Sequence, residues 1–136
     1  MAAEQAQIGL HRIYLKDLSF ESPMAPELFR GEFRPEIKVD VSVHNKSLEN
    51  SLYEVTLEIT ATGMQSGKKA FVVEVEQGGI FQIQGISGDQ LNHALRVFCP
   101  NVLFPYARQA VDSAMSQGSL PSLMLPPFNF DALARG

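Results

Sequence analysis

Several residue types are scarce in this chain of 136 residues, and each shortage excludes a class of protein. The single cysteine, Cys99, can form neither an internal disulfide nor a multi-cysteine metal site. Eleven Lys and Arg stand against fifteen Asp and Glu, and a formal net charge of -4 argues against nucleic acid as the main partner. No run approaches the roughly 18 apolar residues of a membrane span, and the N-terminal residues lack a secretory pattern. We therefore expect a cytoplasmic globular protein without membrane insertion.

Apolar residues, by contrast, are plentiful. Hydrophobic residues make up 45% of the chain and charged ones 19%, with nine Phe and no Trp. A folded monomer of this length buries roughly two-thirds of the surface of its unfolded chain, so a real core is possible. We expect one domain over residues 1–136, with more apolar surface than so small a core requires.

Alternation of apolar and polar residues predicts four strands within residues 8–84, because side chains of a strand point alternately to its two faces. The predicted strands are residues 8–20, 37–43, 53–61 and 70–76. They are joined by short turns or by a proline-bearing connector, with no helix between them, which is typical of an antiparallel sheet. After Gly78 and Gly79 the alternation ends.

Two helices are predicted within residues 88–118. Apolar residues at helical spacing give a first helix that ends at Cys99 and Pro100, and Asn101 caps a second, with Pro105 near its first turn. Gly118 is a favourable helix end. The predicted fold class is α+β: a four-stranded antiparallel sheet followed by helices packed on one face.

Two segments follow the predicted helices. Residues 119–128 form an apolar, proline-bearing crossover loop, and residues 129–136 begin a helix that is too short to form alone. Apolar loop residues often need a specific partner, but this loop packing on its own sheet is an equal alternative.

Residues with possible chemistry are few. Cys99 and His93 could pair in a small cysteine-dependent hydrolase, although a buried structural cysteine is the more ordinary interpretation. Asp17, Glu21 and Glu74, with Glu76, form an acidic patch if the first and last strands are neighbours; a solvated sheet face is the alternative. No metal site and no cofactor are expected.

The last predicted strand carries apolar residues on both faces. Phe71, Val73 and Val75 point one way, and Val72 interrupts the other face. A sheet covered by helices on one side needs only one apolar face, so the second face is expected to be buried by another copy of the chain.

Several segments together resemble the SecB family, the tetrameric export chaperones of Gram-negative bacteria. The resemblance spans residues 7–133, and its most specific part is CPNVLFPYAR at residues 99–108. The other segments are RIYLKDLSFE at residues 12–21 with Pro23, Ala25 and Pro26, YEVTL at residues 53–57, EQGGIF at residues 76–81, and PFNFDAL at residues 127–133.

The resemblance implies an ATP-independent holdase that binds unfolded preproteins and delivers them to the export ATPase SecA. It implies a SecB-like fold, a homotetramer built as a dimer of dimers, and no enzymatic activity. The implied client groove is lined by Phe33, Val39, Val41, Val43, Tyr53, Met115, Leu120, Leu123 and Leu125. The implied SecA contacts are Asp17, Glu21 and Glu74, and the implied subunit-packing residues are Phe71, Val73, Val75 and Gln77.

Two alternatives stay open within and outside the family. A SecB-like chaperone can be devoted to one client, such as an antitoxin, and the hydrolase with Cys99 and His93 belongs to another class. Family members usually extend the final helix and end in a tail that contacts SecA, whereas this sequence ends at Gly136. Either the sequence is a truncated form or that contact is absent.

Overall fold

The computed structural model of the chain describes residues 7–135. Four long strands come first and the helices follow. The strands are β1 (Gln7–Glu21), β2 (Glu36–Ser47), β3 (Leu52–Gln65) and β4 (Lys68–Gln84), with a short 3-10 turn (Glu27–Arg30) between β1 and β2. The helical part comprises α1 (Gly88–His93), a π-helical turn (Ala94–Phe98), α2 (Cys99–Gln117) and α3 (Phe130–Arg135).

The four strands form one antiparallel sheet in the order β1-β4-β3-β2. β1 and β2 are therefore the edge strands. α2 lies mainly over β4 and β3 and leaves the two edges less covered. This arrangement confirms the predicted α+β class.

β4 continues past Gly78 and Gly79 to Gln84, so it is longer than the predicted strand of residues 70–76 but ends within the predicted strand region of residues 8–84. A Cβ on Gly78 would collide with the ring of Tyr14, and a Cβ on Gly79 would lie 2.9 Å from Leu103 Cδ2. The two glycines therefore let a ring from β1 and a side chain from α2 approach the strand closely.

The helical stretch is not interrupted at Cys99 and Pro100, contrary to the prediction from the sequence. The Cys99 N–H donates to the carbonyl of Ala94, five residues back, as in a π-helix. Pro100 has no N–H to donate, and it directly follows the π-helical turn, where the α-helical hydrogen-bond pattern is already interrupted. Pro105 consequently lies well inside a continuous helical stretch, on its exposed side.

The core lies between α2 and the sheet. Buried residues recur at helical spacing along α2, and the facing strands contribute fully buried aliphatic side chains. The α2 residues are Leu103, Ala107, Val111, Ala114 and Met115, and the β3 residues are Val55, Leu57, Ile59 and Ala61.

α3 forms over Phe130–Arg135, although its length alone predicted that it would not. The Ala132 N–H donates to Asn129 Oδ1 at 3.0 Å, which caps the helix, and Phe130 is buried. The Phe128 ring meets Phe104 edge-on, with centroids 5.2 Å apart. Packing of these rings on α2, rather than helix length, stabilises this short segment.

Candidate functional site

The open edge of the sheet presents an apolar surface on β2. Val41 and Val43 are the direct partners of Ile59 and Leu57 on β3, so all four point to the α2 side of the sheet. Ile59 and Leu57 are fully buried, whereas Val41 and Val43 are only half-buried. The apolar face of the sheet therefore extends beyond the cover that α2 provides.

A groove of about 550 Å³ opens beside this surface. One wall is the edge strand β2, and the other comes from α3, where Leu133 is 44% exposed. We call it the β2 groove; it is lined by Val41, Ser42, Val43, His44, Asn45, Arg96, Leu133 and Ala134. Four of its eight lining residues are apolar and four are polar, and the groove is open enough to accept side chains of a second polypeptide.

The nine residues that the resemblance placed in a client groove fall into two sets. Six are half-buried and three belong to the core, and only Val41 and Val43 line the β2 groove itself. The half-buried set is Phe33, Val39, Val41, Val43, Tyr53 and Leu123. The buried set is Met115, Leu120 and Leu125.

The crossover loop packs in part on its own chain. The Leu120 N–H donates to the Met115 carbonyl at 2.9 Å, and Leu120 and Leu125 are buried. The Leu123 N–H donates to Asp112 Oδ1 at 3.3 Å. Met124, by contrast, is 69% exposed. The loop therefore covers core residues with some side chains while others stay available for contact.

Six groove residues were not predicted from the sequence: Ser42, His44, Asn45, Arg96, Leu133 and Ala134. Leu133 and Ala134 lie in the segment that was judged too short to fold, and Arg96 lies between two core residues of the helical stretch. His44 follows Val43 on β2. Nothing in the local pattern marks these residues, because the packing of α3 beside β2 creates the groove.

The sheet face opposite α2 carries acidic residues. β1 pairs with β4, so Asp17 lies opposite Glu76 and Ser19 lies opposite Glu74. A hollow of about 220 Å³, the acidic hollow, is lined by Asp17, Glu58, Thr60, Glu74, Val75 and Glu76. Asp17 and Glu74, two of the three residues predicted to contact SecA, thus lie together. The third, Glu21, lies at the end of β1 opposite Val72.

A hydrogen-bonded cluster links the two strands β1 and β3 on this same face. The Tyr14 hydroxyl donates to Glu54 Oε2, and Lys16 Nζ lies 3.1 Å from both Glu54 carboxylate oxygens. The hydrogen bond from Tyr14, with further help from Lys16, holds the pKa of Glu54 below its ordinary value. Burial and then the bond to Glu54 raise the pKa of Tyr14 to about 12.

The four predicted subunit-packing residues, by contrast, are covered within the single chain. They alternate along β4 on the side that faces α2, and the Phe33 ring lies 6.3 Å from the Phe71 ring. Gln77 Nε2 donates to the Tyr14 carbonyl at 2.9 Å. Phe71, Val73, Val75 and Gln77 are all buried. Their role in subunit packing stays a prediction, and these side chains can act only indirectly, by shaping β4.

Cys99 and His93 are not brought together as a catalytic pair. Cys99 is buried, and burial raises the pKa of its thiol to about 12. His93 is largely exposed, and its Nε2 lies 3.4 Å from Asp131 Oδ1 on α3. A hydrolase needs a thiolate beside its base, so this geometry does not support that alternative.

Within residues 7–135, the structure has neither a candidate metal site nor a candidate membrane-spanning helix. No group of three or more His, Cys, Asp or Glu in this range could hold a metal ion. No helix in the same range is long and apolar enough to cross a membrane.

A sheet backed by one long helical stretch, with an open groove at one edge and acidic residues on its other face, can bind an extended polypeptide segment at that edge. The sequence model described as preprotein translocase subunit SecB matches residues 1–135. The chain belongs to the SecB family, the family of protein-export chaperones.

Curated relatives agree with this assignment. The chain is 48% identical to the protein-export protein SecB of Chromohalobacter salexigens over 134 residues, which is 97% of this chain and 82% of the relative. It is 50% identical to that of Stutzerimonas stutzeri over 128 residues, covering 94% and 78%. It is 49% identical to that of Legionella pneumophila over 130 residues, covering 96% and 80%.

A solved structure has the same fold. The SecB-like chaperone of Mycobacterium tuberculosis, in complex with a ChAD peptide from an antitoxin, superposes with a TM-score of 0.71. The match covers 90% of each chain at 17% sequence identity, so it bears on the fold alone.

Proposed function

We propose that the chain is a cytoplasmic, ATP-independent holdase that binds unfolded preproteins through the β2 groove and hands them to SecA. The observation that carries the proposal is the half-buried apolar face of Val41 and Val43, open at the sheet edge beside Leu133. The chain acts by binding and carries out no catalysis.

The chemistry of the groove suits clients of many sequences. Burial of apolar side chains is favourable and has little directionality, so aliphatic walls accept varied shapes. Each fully buried client side chain contributes on the order of 1.5–3 kcal/mol. Binding the unfolded state in preference to the folded state opposes folding by mass action, and ATP is not required.

Delivery to SecA is assigned to the acidic face. Asp17, Glu74 and Glu76 lie around one hollow with Glu58, and together they create a negative potential that attracts a basic surface. This face lies on the opposite side of the sheet from Val41 and Val43, the apolar wall of the β2 groove. A loaded chaperone can therefore dock without first releasing its client.

The edge strand β1 supports assembly into a dimer of dimers. It exposes a row of apolar side chains on the α2 side of the sheet, and an uncovered apolar edge promotes association. The row is Ile8, Leu10, Leu15 and Leu18. Several grooves on one tetramer bind one long client more tightly than a single groove does, because later contacts are intramolecular.

A chaperone dedicated to one client is the second candidate. The observation that favours it is the structural neighbour from Mycobacterium tuberculosis, which was solved with a peptide from an antitoxin. Recovery of bound clients from cells separates the two: many preproteins support general export, and one dominant protein supports the dedicated function.

The direct test of the holdase is aggregation of a denatured preprotein diluted into buffer without ATP. We expect the purified chain to suppress light scattering in proportion to its concentration. Suppression that requires ATP, or no suppression at equimolar protein, contradicts the proposal. A natively folded client should not bind, and this comparison serves as the control.

A further inference from the structure

Two polar residues of the β2 groove are held by a carboxylate of the acidic hollow. Ser42 and His44 line the groove beside Val41 and Val43. Ser42 lies opposite Glu58 in the pairing of β2 with β3, and its hydroxyl donates to Glu58 Oε2 at 3.1 Å. His44 Nε2 lies 3.6 Å from the same oxygen. Glu58 also lines the acidic hollow, so one side chain contacts both sites.

These contacts restrain an edge strand. β2 pairs with β3 on one side, and no other strand of the sheet lies beyond it. Ser42 lies between Val41 and Val43 in the sequence, so a fixed Ser42 also restrains the backbone that carries the apolar wall of the groove. A wall that is already ordered binds a client at a lower entropic cost than a mobile one. The bond to Glu58 therefore supports client binding from the opposite face of the sheet.

The Glu58 carboxylate is free to take a different partner. Its side chain is 42% exposed, and the other carboxylates around the hollow add to a potential that attracts a cation. Within residues 7–135, no lysine or arginine forms an ion pair with Glu58. A guanidinium engages both oxygens of a carboxylate. An arginine that enters the hollow therefore competes with Ser42 and His44 for Oε2.

We propose that Glu58 is a positioning residue that couples the acidic hollow to the β2 groove. An arginine of the docking partner draws the carboxylate away from Ser42, the edge strand loosens at Val41 and Val43, and the client is bound less tightly. The inference rests on the proposed functions of the two sites and adds how they communicate. The effect is reciprocal by linkage, so a bound client weakens docking by the same factor.

The first experiment follows the methyl resonances of Val41 and Val43 while SecA is added in the absence of client. Both side chains lie on the face opposite the acidic hollow, so SecA bound at the hollow does not contact them directly. We expect the resonances to shift in the wild type and to shift at most half as far in Ser42→Ala. Calorimetry should show that Ser42→Ala still binds SecA, because Asp17 and Glu74 are unchanged.

The second experiment measures client affinity by fluorescence anisotropy of a labelled unfolded preprotein. Ser42→Ala and Glu58→Ala should each weaken binding about threefold, which is within the strength of one hydrogen bond. The combined variant should bind no more weakly than either single variant, because both changes remove the same bond. Glu76→Ala is the matched control: it removes a charge from the same hollow on β4, which does not pair with β2, and client affinity should not change. Matching thermal unfolding curves show that the variants are folded.

Three results would overturn the coupling and leave both sites intact. They are equal methyl shifts of Val41 and Val43 in the wild type and Ser42→Ala, additive losses of client affinity in the combined variant, and an equal loss in Glu76→Ala. If SecA does not bind the wild type in calorimetry, the docking proposal fails and the coupling fails with it. If the unfolded preprotein does not bind the wild type, the holdase proposal fails instead.

Discussion

The Tyr14 hydroxyl on β1 donates a hydrogen bond to the Glu54 carboxylate on β3, across the backbone of Gly78 on the intervening strand. Only glycine permits this arrangement, because a Cβ at position 78 would collide with the Tyr14 ring. The bond ties the edge strand β1 to the centre of the sheet. It also positions the face that carries the acidic hollow.

Removal of the Tyr14 hydroxyl should destabilise the sheet. Tyr14→Phe loses a hydrogen bond to a charged, partly buried acceptor, and we expect the free energy of unfolding to fall by about 1.5 kcal/mol. Urea denaturation measures the change. Tyr106→Phe is the matched control, because Tyr106 is exposed on α2, and it should be neutral. An unchanged midpoint in Tyr14→Phe would show that the bond contributes nothing.

The same pair predicts how stability depends on pH. The hydrogen bond from Tyr14 keeps the pKa of Glu54 low in the folded state. The stabilisation that Glu54 contributes to the fold is therefore present above the ordinary pKa of Glu, and it is lost as the pH falls through the pKa of Glu54 in the folded protein. The pKa of Tyr14 is raised from 10.0 to about 12, so its contribution is present below pH 10 and is lost toward pH 12. The denaturation midpoint of the wild type should therefore exceed that of Tyr14→Phe near neutral pH. The two midpoints should converge at acid pH, where Glu54 is protonated, and toward pH 12, where Tyr14 is ionised. A difference independent of pH contradicts the coupling.

The β2 groove should lose affinity when its apolar wall is made polar. The double variant Val41→Ser and Val43→Ser removes methyl groups from two half-buried positions, and we expect client affinity to fall on the order of tenfold. Suppression of aggregation measures the effect. Asp40→Ser lies on the same strand but on the opposite face and should leave suppression unchanged. An equal loss of suppression in the double variant and in Asp40→Ser would show that the client binds outside the β2 groove.

The acidic hollow predicts a salt-dependent contact with SecA. Asp17→Lys with Glu74→Lys reverses two charges around the hollow, and we expect SecA binding to weaken at least tenfold while aggregation is still suppressed. Titration calorimetry at low and high salt measures the affinity for SecA and its dependence on salt, and light scattering of a denatured client measures the suppression of aggregation. Glu49→Lys, in the turn between β2 and β3, is the charge-matched control. Wild-type SecA affinity in the double variant would exclude this face.

Much of the sheet could be predicted from the sequence, because the alternation of apolar and polar residues along a strand is a local pattern. The alternation around Val41 and around Leu57 identified both strands and the faces that meet in the core. The predictions at Gly78 and Pro100 were wrong because the role of each residue depends on contacts outside its local sequence. Gly78 makes room for a ring from another strand, and Pro100 follows a π-helical turn. Neither partner is visible in the local pattern.

The candidate site was predicted only in part for the same reason. Val41 and Val43 follow from strand periodicity, whereas Leu133 enters the groove because the burial of Phe130 anchors α3. Met115 and Leu125 were predicted as lining and lie in the core, because apolar character alone does not distinguish a groove wall from the layer beneath it.

Methyl NMR of the protein with a bound unfolded preprotein tests the central claim most directly. The account predicts that the methyl resonances of Val41, Val43 and Leu133 shift or broaden on binding, while those of the buried Leu57 stay unchanged. Shifts confined to Leu10 and Leu15 on β1, with the β2 methyl groups unaffected, would contradict it.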